Sequence, residues 1–105
     1  MLFEVWSAKL LGGIEHWGEA EKLWKKHCED VKKHHLVALN WTLRPSHGAL
    51  NEIMAVVGFK SMEDRNEWYR TFAQETPEAL VSRKALNECR YVDPNSLEMH
   101  QYYEP

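Results

Sequence analysis

The run Leu36-Val37-Ala38-Leu39-Asn40-Trp41-Thr42-Leu43 is followed by Arg44-Pro45-Ser46-His47-Gly48 and then, after a short polar loop, by Ile53-Met54-Ala55-Val56-Val57-Gly58-Phe59. Two runs rich in β-branched, aromatic and other apolar residues flank a segment of turn-makers. That pattern predicts two strands joined as a hairpin with a long loop. In both runs apolar residues fall at odd and even positions alike, so both faces of the sheet they build are expected to be covered.

The period changes on either side of the hairpin. Leu2-Phe3-Glu4-Val5-Trp6-Ser7-Ala8-Lys9-Leu10 alternates roughly and reads as a first strand, broken by Gly12-Gly13. From Ile14 onward Trp17, Ala20, Trp24, Cys28, Val31 and His35 recur at steps of three and four, with lysines and glutamates opposite. This is an amphipathic helix of about five turns at 3.6 residues per turn. Downstream of the hairpin, Ser61 with Asp64 three residues later makes a helix start, and Arg65, Trp68, Tyr69, Phe72 and Ala73 form the next stripe. Thr76-Pro77 restarts a helix carrying Val81, Ala85 and Cys89, although Ala79 to Val92 is also compatible with extended structure. Asp93-Pro94-Asn95 predicts a turn, and Leu97 to Tyr103 a last strand.

The order is strand, helix, strand, strand, helix, short helix, strand. The expectation is one α+β domain over residues 1–105, of the ferredoxin-like βαββαβ class, with an antiparallel sheet and helices on one face. Helices on one face leave the apolar side chains of the hairpin's other face uncovered, and a homodimer across that face would cover them.

Composition narrows the function classes. The chain has 105 residues, is 44% hydrophobic and 28% charged, and carries a net charge of -3. The basic cluster Lys22, Lys25, Lys26, Lys32 and Lys33 is interleaved with Glu19, Glu21, Glu29 and Asp30, as on a solvated helix face, so no nucleic-acid partner is expected. No apolar run approaches membrane-spanning length and the start does not read as a signal peptide. Cys28 and Cys89 stand outside any metal or disulfide framework, which points to free thiols and a cytoplasmic setting.

The chain resembles the dimeric α+β barrel superfamily, which includes antibiotic biosynthesis monooxygenases, NIPSNAP-like domains and small polyketide cyclases. Carrying the resemblance are Phe3-Glu4-Val5-Trp6, the break at Gly12-Gly13, Glu21-Lys22-Leu23-Trp24 in the long helix, Val56-Val57-Gly58-Phe59 ending the hairpin, Ser61-Met62-Glu63-Asp64 and the aromatic closing strand. These features are architectural and span nearly the whole chain. The resemblance implies the fold and a dimer far more than an activity: members often bind a small hydrophobic or aromatic molecule between sheet and helices, some catalyse cofactor-independent monooxygenase or cyclase chemistry, and many have no assigned role. Haem-degrading members use an Asn, a Trp and a helix His. The second helix here, Met62 to Gln74, has no His, and no cofactor is expected.

Several residues are candidates for a site, each with a structural alternative. Trp6 and Trp41 are strand tryptophans, either core or the wall of an apolar pocket whose indole N–H groups need partners. Asn40 interrupts an apolar strand and would orient a ligand or satisfy nearby backbone. His100 alternates with Tyr102 on the last strand, so the two share a face and offer acid–base chemistry near neutral pH; the alternative is an exposed His near the C-terminus. If the last strand pairs with the first, Trp6 and His100 become cross-strand neighbours in a suitable register. His27, His34 and His35 lack metal-ligand spacing, so no metal is expected. Ser7, Ser46 and Ser82 lack the context of a nucleophile. A closed, mostly apolar cavity containing His100 or Asn40 would favour a small-molecule site. A solid core would favour a non-enzymatic binding or interaction module.

Overall fold

A computed structural model describes residues 1–105. Strand β1 (Leu2–Leu10) leads into helix α1 (Ile14–Lys32), followed by β2 (Leu39–Leu43), β3 (Glu52–Phe59), α2 (Met62–Arg70), a 3-10 turn (Ala73–Glu75), α3 (Pro77–Asn87) and β4 (Val92–Tyr103). The four strands form one sheet in the order β2-β3-β1-β4, with every neighbouring pair antiparallel. This is the ferredoxin-like α+β arrangement, and the segment after Thr76 is helical as far as Asn87. No helix is long and apolar enough to cross a membrane.

Local chemistry fixes the helix ends. Ser61 Oγ accepts a hydrogen bond from Asp64 N at 3.1 Å, satisfying one of the free N–H groups at the start of α2. Thr76 does the same for α3 through Ala79 N at 3.4 Å, with Pro77 at the first helical position, where its missing N–H costs nothing. Between the two helices Phe72 takes a left-handed conformation at φ 52°, which lets the chain turn out of α2.

Period-two alternation divides the sheet. Leu2, Ala8 and Leu10 of β1 and Ile53, Ala55, Val57 and Phe59 of β3 are buried under the helices, against Trp24 and Cys28 of α1 and Trp68 of α2. The opposite face carries Phe3 and Val5 of β1, Leu39, Trp41 and Leu43 of β2, Met54 and Val56 of β3, and His100 and Tyr102 of β4. Nothing in the protomer lies over it. Trp41 is 53% exposed and Tyr102 55%.

Three boundaries or facings differ from the sequence expectation. β2 begins at Leu39, not Leu36, because α1 unwinds through a turn in which Val37 N donates to His34 O and Leu36 N to His34 Nδ1. Val37 is apolar because it packs against Phe59 and Trp68, not because it is in a strand. β2 is also not apolar on both faces. Its inward residues are Asn40 and Thr42, paired with Val57 and Ala55, and its apolar residues all point away from the helices. Finally, Asp93-Pro94-Asn95 lies inside β4, not before it. The pairing with β1 jumps from Ser7↔Glu98 to Lys9↔Asp93, and the extra residues loop out. Asn95 N donates to Asp93 Oδ1 at 3.0 Å, Ser96 Oγ to Asp93 O at 2.7 Å, and Lys9 N to Ser96 Oγ at 2.7 Å. The turn chemistry is real, and β4 tolerates Pro94 as an edge strand with a bulge.

Phe59 is fully buried where β3 meets α2. Phe59→Ala is expected to lower stability by about 3–5 kcal/mol, as large-to-small changes in a core do. A urea titration checks this: the midpoint should fall with the slope unchanged.

Candidate functional site

A cavity of about 370 Å³ lies between the sheet and the helix layer. β1 contributes Glu4 and Trp6, β2 Asn40, and β3 Ala55 and Val57. From α1 come Trp24, His27, Cys28 and Val31, and from α2 Trp68 and Tyr69. Gln74 of the 3-10 turn, Arg83, Leu86 and Asn87 of α3, and Leu97 of β4 complete the lining. The volume is within the range of small-molecule sites, and so is the chemistry, an apolar and aromatic wall with a few polar groups.

One end is held by a buried carboxylate. Glu4 is 1% exposed, on an inward position of a central strand. It accepts from Tyr69 Oη at 2.7 and 3.0 Å, from Arg65 Nε at 3.0 Å and from Trp6 Nε1 at 3.3 Å. Arg65 also stacks over the Tyr69 ring, 4.4 Å from its centroid. A buried carboxylate is tolerable only when paired and hydrogen-bonded in this way. The network fixes the rings of Trp6 and Tyr69 as walls of the cavity. Burial, and then the bond to Glu4, push the Tyr69 hydroxyl well above its ordinary pKa, so it stays protonated and donating.

The rest of the polar lining is less well satisfied. Asn40 Oδ1, Gln74 Oε1 and Trp24 Nε1 are buried without a hydrogen-bond partner. His27 reaches Ser82 Oγ through Nδ1 at 2.9 Å. Burial first, and Arg83 second, hold the His27 pKa below its ordinary value against the opposing pull of Asp30. Burial raises the Cys28 thiol, leaving it un-ionised at neutral pH. Cys28 and Cys89 are free thiols. No group of three or more His, Cys, Asp and Glu side chains stands where it could hold a metal ion.

The five residues singled out from sequence divide between the two faces. Trp6 and Asn40 line the cavity. Trp41, His100 and Tyr102 point from the opposite face, as the alternation of Asn40 with Trp41 requires. Trp6 and His100 are not cross-strand neighbours: Trp6 pairs with Met99 and His100 with Val5. The His100 side chain is 63% exposed, with Nε2 3.6 Å from Glu98 Oε2. Sequence reasoning passed over Glu4, Trp24, His27, Tyr69 and Gln74. Two had a visible signal. Glu4 is an acid at an inward strand position between Leu2 and Trp6, and His27 stands beside Trp24 and Cys28 on the α1 stripe.

No family model matches the chain, and no curated protein sequence does. Solved structures do resemble it over its full length. An uncharacterised NIPSNAP domain protein from Burkholderia xenovorans superimposes with a TM-score of 0.74 at 14% identity, covering 100% of this chain and 95% of that one. A NIPSNAP family protein from Agrobacterium tumefaciens gives 0.72 at 18%, covering 99% and 92%. SnoaB, a cofactor-independent oxygenase from Streptomyces nogalater, gives 0.67 at 14%, covering 98% and 91%. At these identities the similarity shows the fold alone, the one shared by NIPSNAP and antibiotic biosynthesis monooxygenase-like proteins.

The Tyr69–Glu4 bond gives a prediction with a definite sign. Tyr69→Phe leaves the buried carboxylate short of a donor and is expected to cost about 1–3 kcal/mol. The folded pKa of Tyr69 is raised, so its contribution is fully present below the unfolded value of 10.0 and is lost as pH rises beyond it. Urea midpoints from pH 7 to 11 should show a constant gap between parent and variant that narrows only above pH 10.

Proposed function

We propose that this single-domain protein binds a small, mainly apolar or aromatic molecule in the cavity between sheet and helices, and that it works as a homodimer. The observation that carries the proposal is the cavity itself, walled by Trp6, Trp24, Trp68 and Tyr69 with Asn40 and Gln74 among its polar residues. A domain that served only as an interaction module would be expected to fill this space, since protein interiors pack to crystal density. Asn40 is one of the two residues whose presence in a pocket favours the small-molecule reading. Its amide and that of Gln74 suit orienting a ligand's polar group.

Cofactor-independent oxygenation or cyclisation is the activity we assign to the site, supported by its fold neighbours, one of which is a cofactor-independent oxygenase. The cavity offers what such chemistry asks of the protein: a mainly apolar, aromatic lining, an imidazole at His27 held toward its neutral form and a fixed phenol at Tyr69. His100 stands outside this site and takes no part in it. A cytoplasmic setting accords with the free thiols of Cys28 and Cys89.

Dimerisation is supported by the second face of the sheet. On β2 every apolar residue is outward, with Trp41 53% and Leu43 44% exposed beside Val56 and Met54. A sheet face of this kind needs a partner surface, and a second copy across a two-fold axis brings the same apolar face.

Two outcomes test the proposal. Ala55→Phe puts a ring into the cavity from the floor of the sheet. It should abolish calorimetric binding of naphthalene, used as an apolar aromatic probe, while the circular dichroism spectrum stays that of the parent. Parent protein that binds no aromatic probe removes the reading. Light scattering should give twice the chain mass for the parent at micromolar concentration and the single mass for Val56→Lys, which places a charge in the outward face. A monomeric parent removes the dimer.

A further inference from the structure

The charges in the cavity lining are unequally matched. Glu4 is its only carboxylate and Arg83 its only permanent cation. Glu4 is answered within the chain by Arg65 Nε at 3.0 Å, by Tyr69 Oη and by Trp6 Nε1. Arg83 is not answered in this way. Its guanidinium makes no hydrogen bond to the protein, and its one charged contact is Glu75 Oε1, 3.6 Å from Nη2. The two side chains of that pair are 38% and 47% exposed, and a loose pair open to solvent is worth little. The planar fork of N–H donors on Arg83 is left to water.

Its position makes that vacancy useful. Arg83, Leu86 and Asn87 stand at steps of three and four on α3, so they share one face of the helix, and all three line the cavity. Asn87 is exposed, as is Leu97, which lines the cavity from β4. Trp24, Trp68 and Glu4 are the buried part of the lining. The exposed lining residues mark the mouth, between α3 and β4, and Arg83 stands there with them. Its charge is felt inside the site: after burial, it is the second cause that holds the His27 pKa below its ordinary value.

We infer that Arg83 is an anion anchor at the cavity mouth, and that the ligand is an aromatic carboxylate with its rings inside and its acid group on the guanidinium. The inference rests on the reading of the cavity as a small-molecule site, and adds to it the sign of the ligand's charge. A carboxylate matches the guanidinium because its two oxygens accept two parallel N–H bonds from the fork. Glu75 is the internal competitor, a carboxylate already drawn to Arg83 but too far away to hydrogen-bond. The ligand replaces a 3.6 Å contact with a direct one. A cationic ligand fits badly: at the mouth it meets Arg83, and deeper in it finds Glu4 already paired with Arg65.

The test uses three probes with one ring system, titrated by calorimetry at pH 7: 2-naphthoate, naphthalene and 2-naphthylmethylammonium. The parent should bind 2-naphthoate about tenfold more tightly than naphthalene, the worth of hydrogen bonds to a charged partner, and the ammonium more weakly than naphthalene. Arg83→Gln should remove the tenfold preference and leave naphthalene binding unchanged. Glu75→Gln, which takes away the competing carboxylate, should tighten 2-naphthoate and leave naphthalene unchanged. Ala55→Phe, which fills the cavity, should abolish binding of both. Equal affinity of the parent for 2-naphthoate and naphthalene overturns the anchor, and so does a preference that survives Arg83→Gln. 2-Naphthoate that binds Ala55→Phe as it binds the parent, while naphthalene binding is lost, sits on the outer surface and overturns it too. Each of these three results leaves the cavity reading standing. Failure of the parent to bind any of the probes overturns the cavity reading and the anchor with it. The comparison of probes on the parent needs no substitution, so a variant that fails to fold does not shield the inference.

Discussion

A carboxylate buried in the middle of a central strand has to be compensated from whatever lies above it, and in this protein that requirement ties the helix layer to the sheet. Glu4 is fixed on β1 between β3 and β4, and it is buried there. Its partners come from β1 itself, through Trp6, and from α2, through Arg65 and Tyr69. Those donors set how α2 rides over the sheet and keep two aromatic rings upright at the cavity's edge. Removing one partner from such a cluster strands a charge, whereas an apolar replacement of the whole cluster could pack as well or better. The network is therefore poorly explained as a device for stability alone. It is better explained by what it holds apart, because side chains free to pack would close over the space beside it.

The second constraint comes from β2. An edge strand under a helix layer ordinarily turns its apolar residues inward and its polar residues to solvent. Here Leu39, Trp41 and Leu43 face out while Asn40 and Thr42 face in. The inversion does two things at once. It places an amide in the cavity lining, and it puts an indole and two leucines on a face the protomer does not cover. A one-residue slip of β2 against β3 would exchange these sets, burying Trp41 where Asn40 is and exposing Asn40 and Thr42. Register therefore couples the cavity to the outward face.

The sequence shows the architecture because the elements differ in period. The steps of three and four from Trp17 to Val31 and the alternation of Leu2 to Leu10 leave little freedom, and the caps at Ser61 and Thr76 mark their helices by short-range hydrogen bonding alone. Where the sequence misleads, the reason is tertiary. Leu36 and Val37 look like strand because they are apolar, yet their burial comes from packing over Phe59 and Trp68. Asp93-Pro94-Asn95 forms the turn its residues predict, but β4 pairs with β1 on both sides of it, which only the three-dimensional neighbour decides. The site is less legible for a related reason. A strand reveals which residues share a face, as with Asn40 and Trp41, but not which face lies under the helices. His100 and Tyr102 do share a face, and it is the one turned away. Trp24 looks like core because it is core. That its N–H lacks an acceptor is a property of what surrounds it, and no single-chain pattern encodes that.

For the proposed reading of the cavity as a small-molecule site, packing is the strongest support. A void lined only by aliphatic and aromatic carbon can stay dry. The residues lining this one include Asn40, Gln74 and Trp24, each with a buried polar atom that lacks a partner, and each such atom costs about 1–3 kcal/mol if left so. A domain of this size has marginal stability, on the order of 5–15 kcal/mol, so several such groups cannot all stay unsatisfied. What water does not use is the aromatic wall between them, where Trp6, Trp68 and Tyr69 gain only from contact with another apolar body. An occupant that satisfies wall and polar atoms together must be apolar over most of its surface and polar at a few fixed points. That description follows from the lining itself and owes nothing to the fold neighbours.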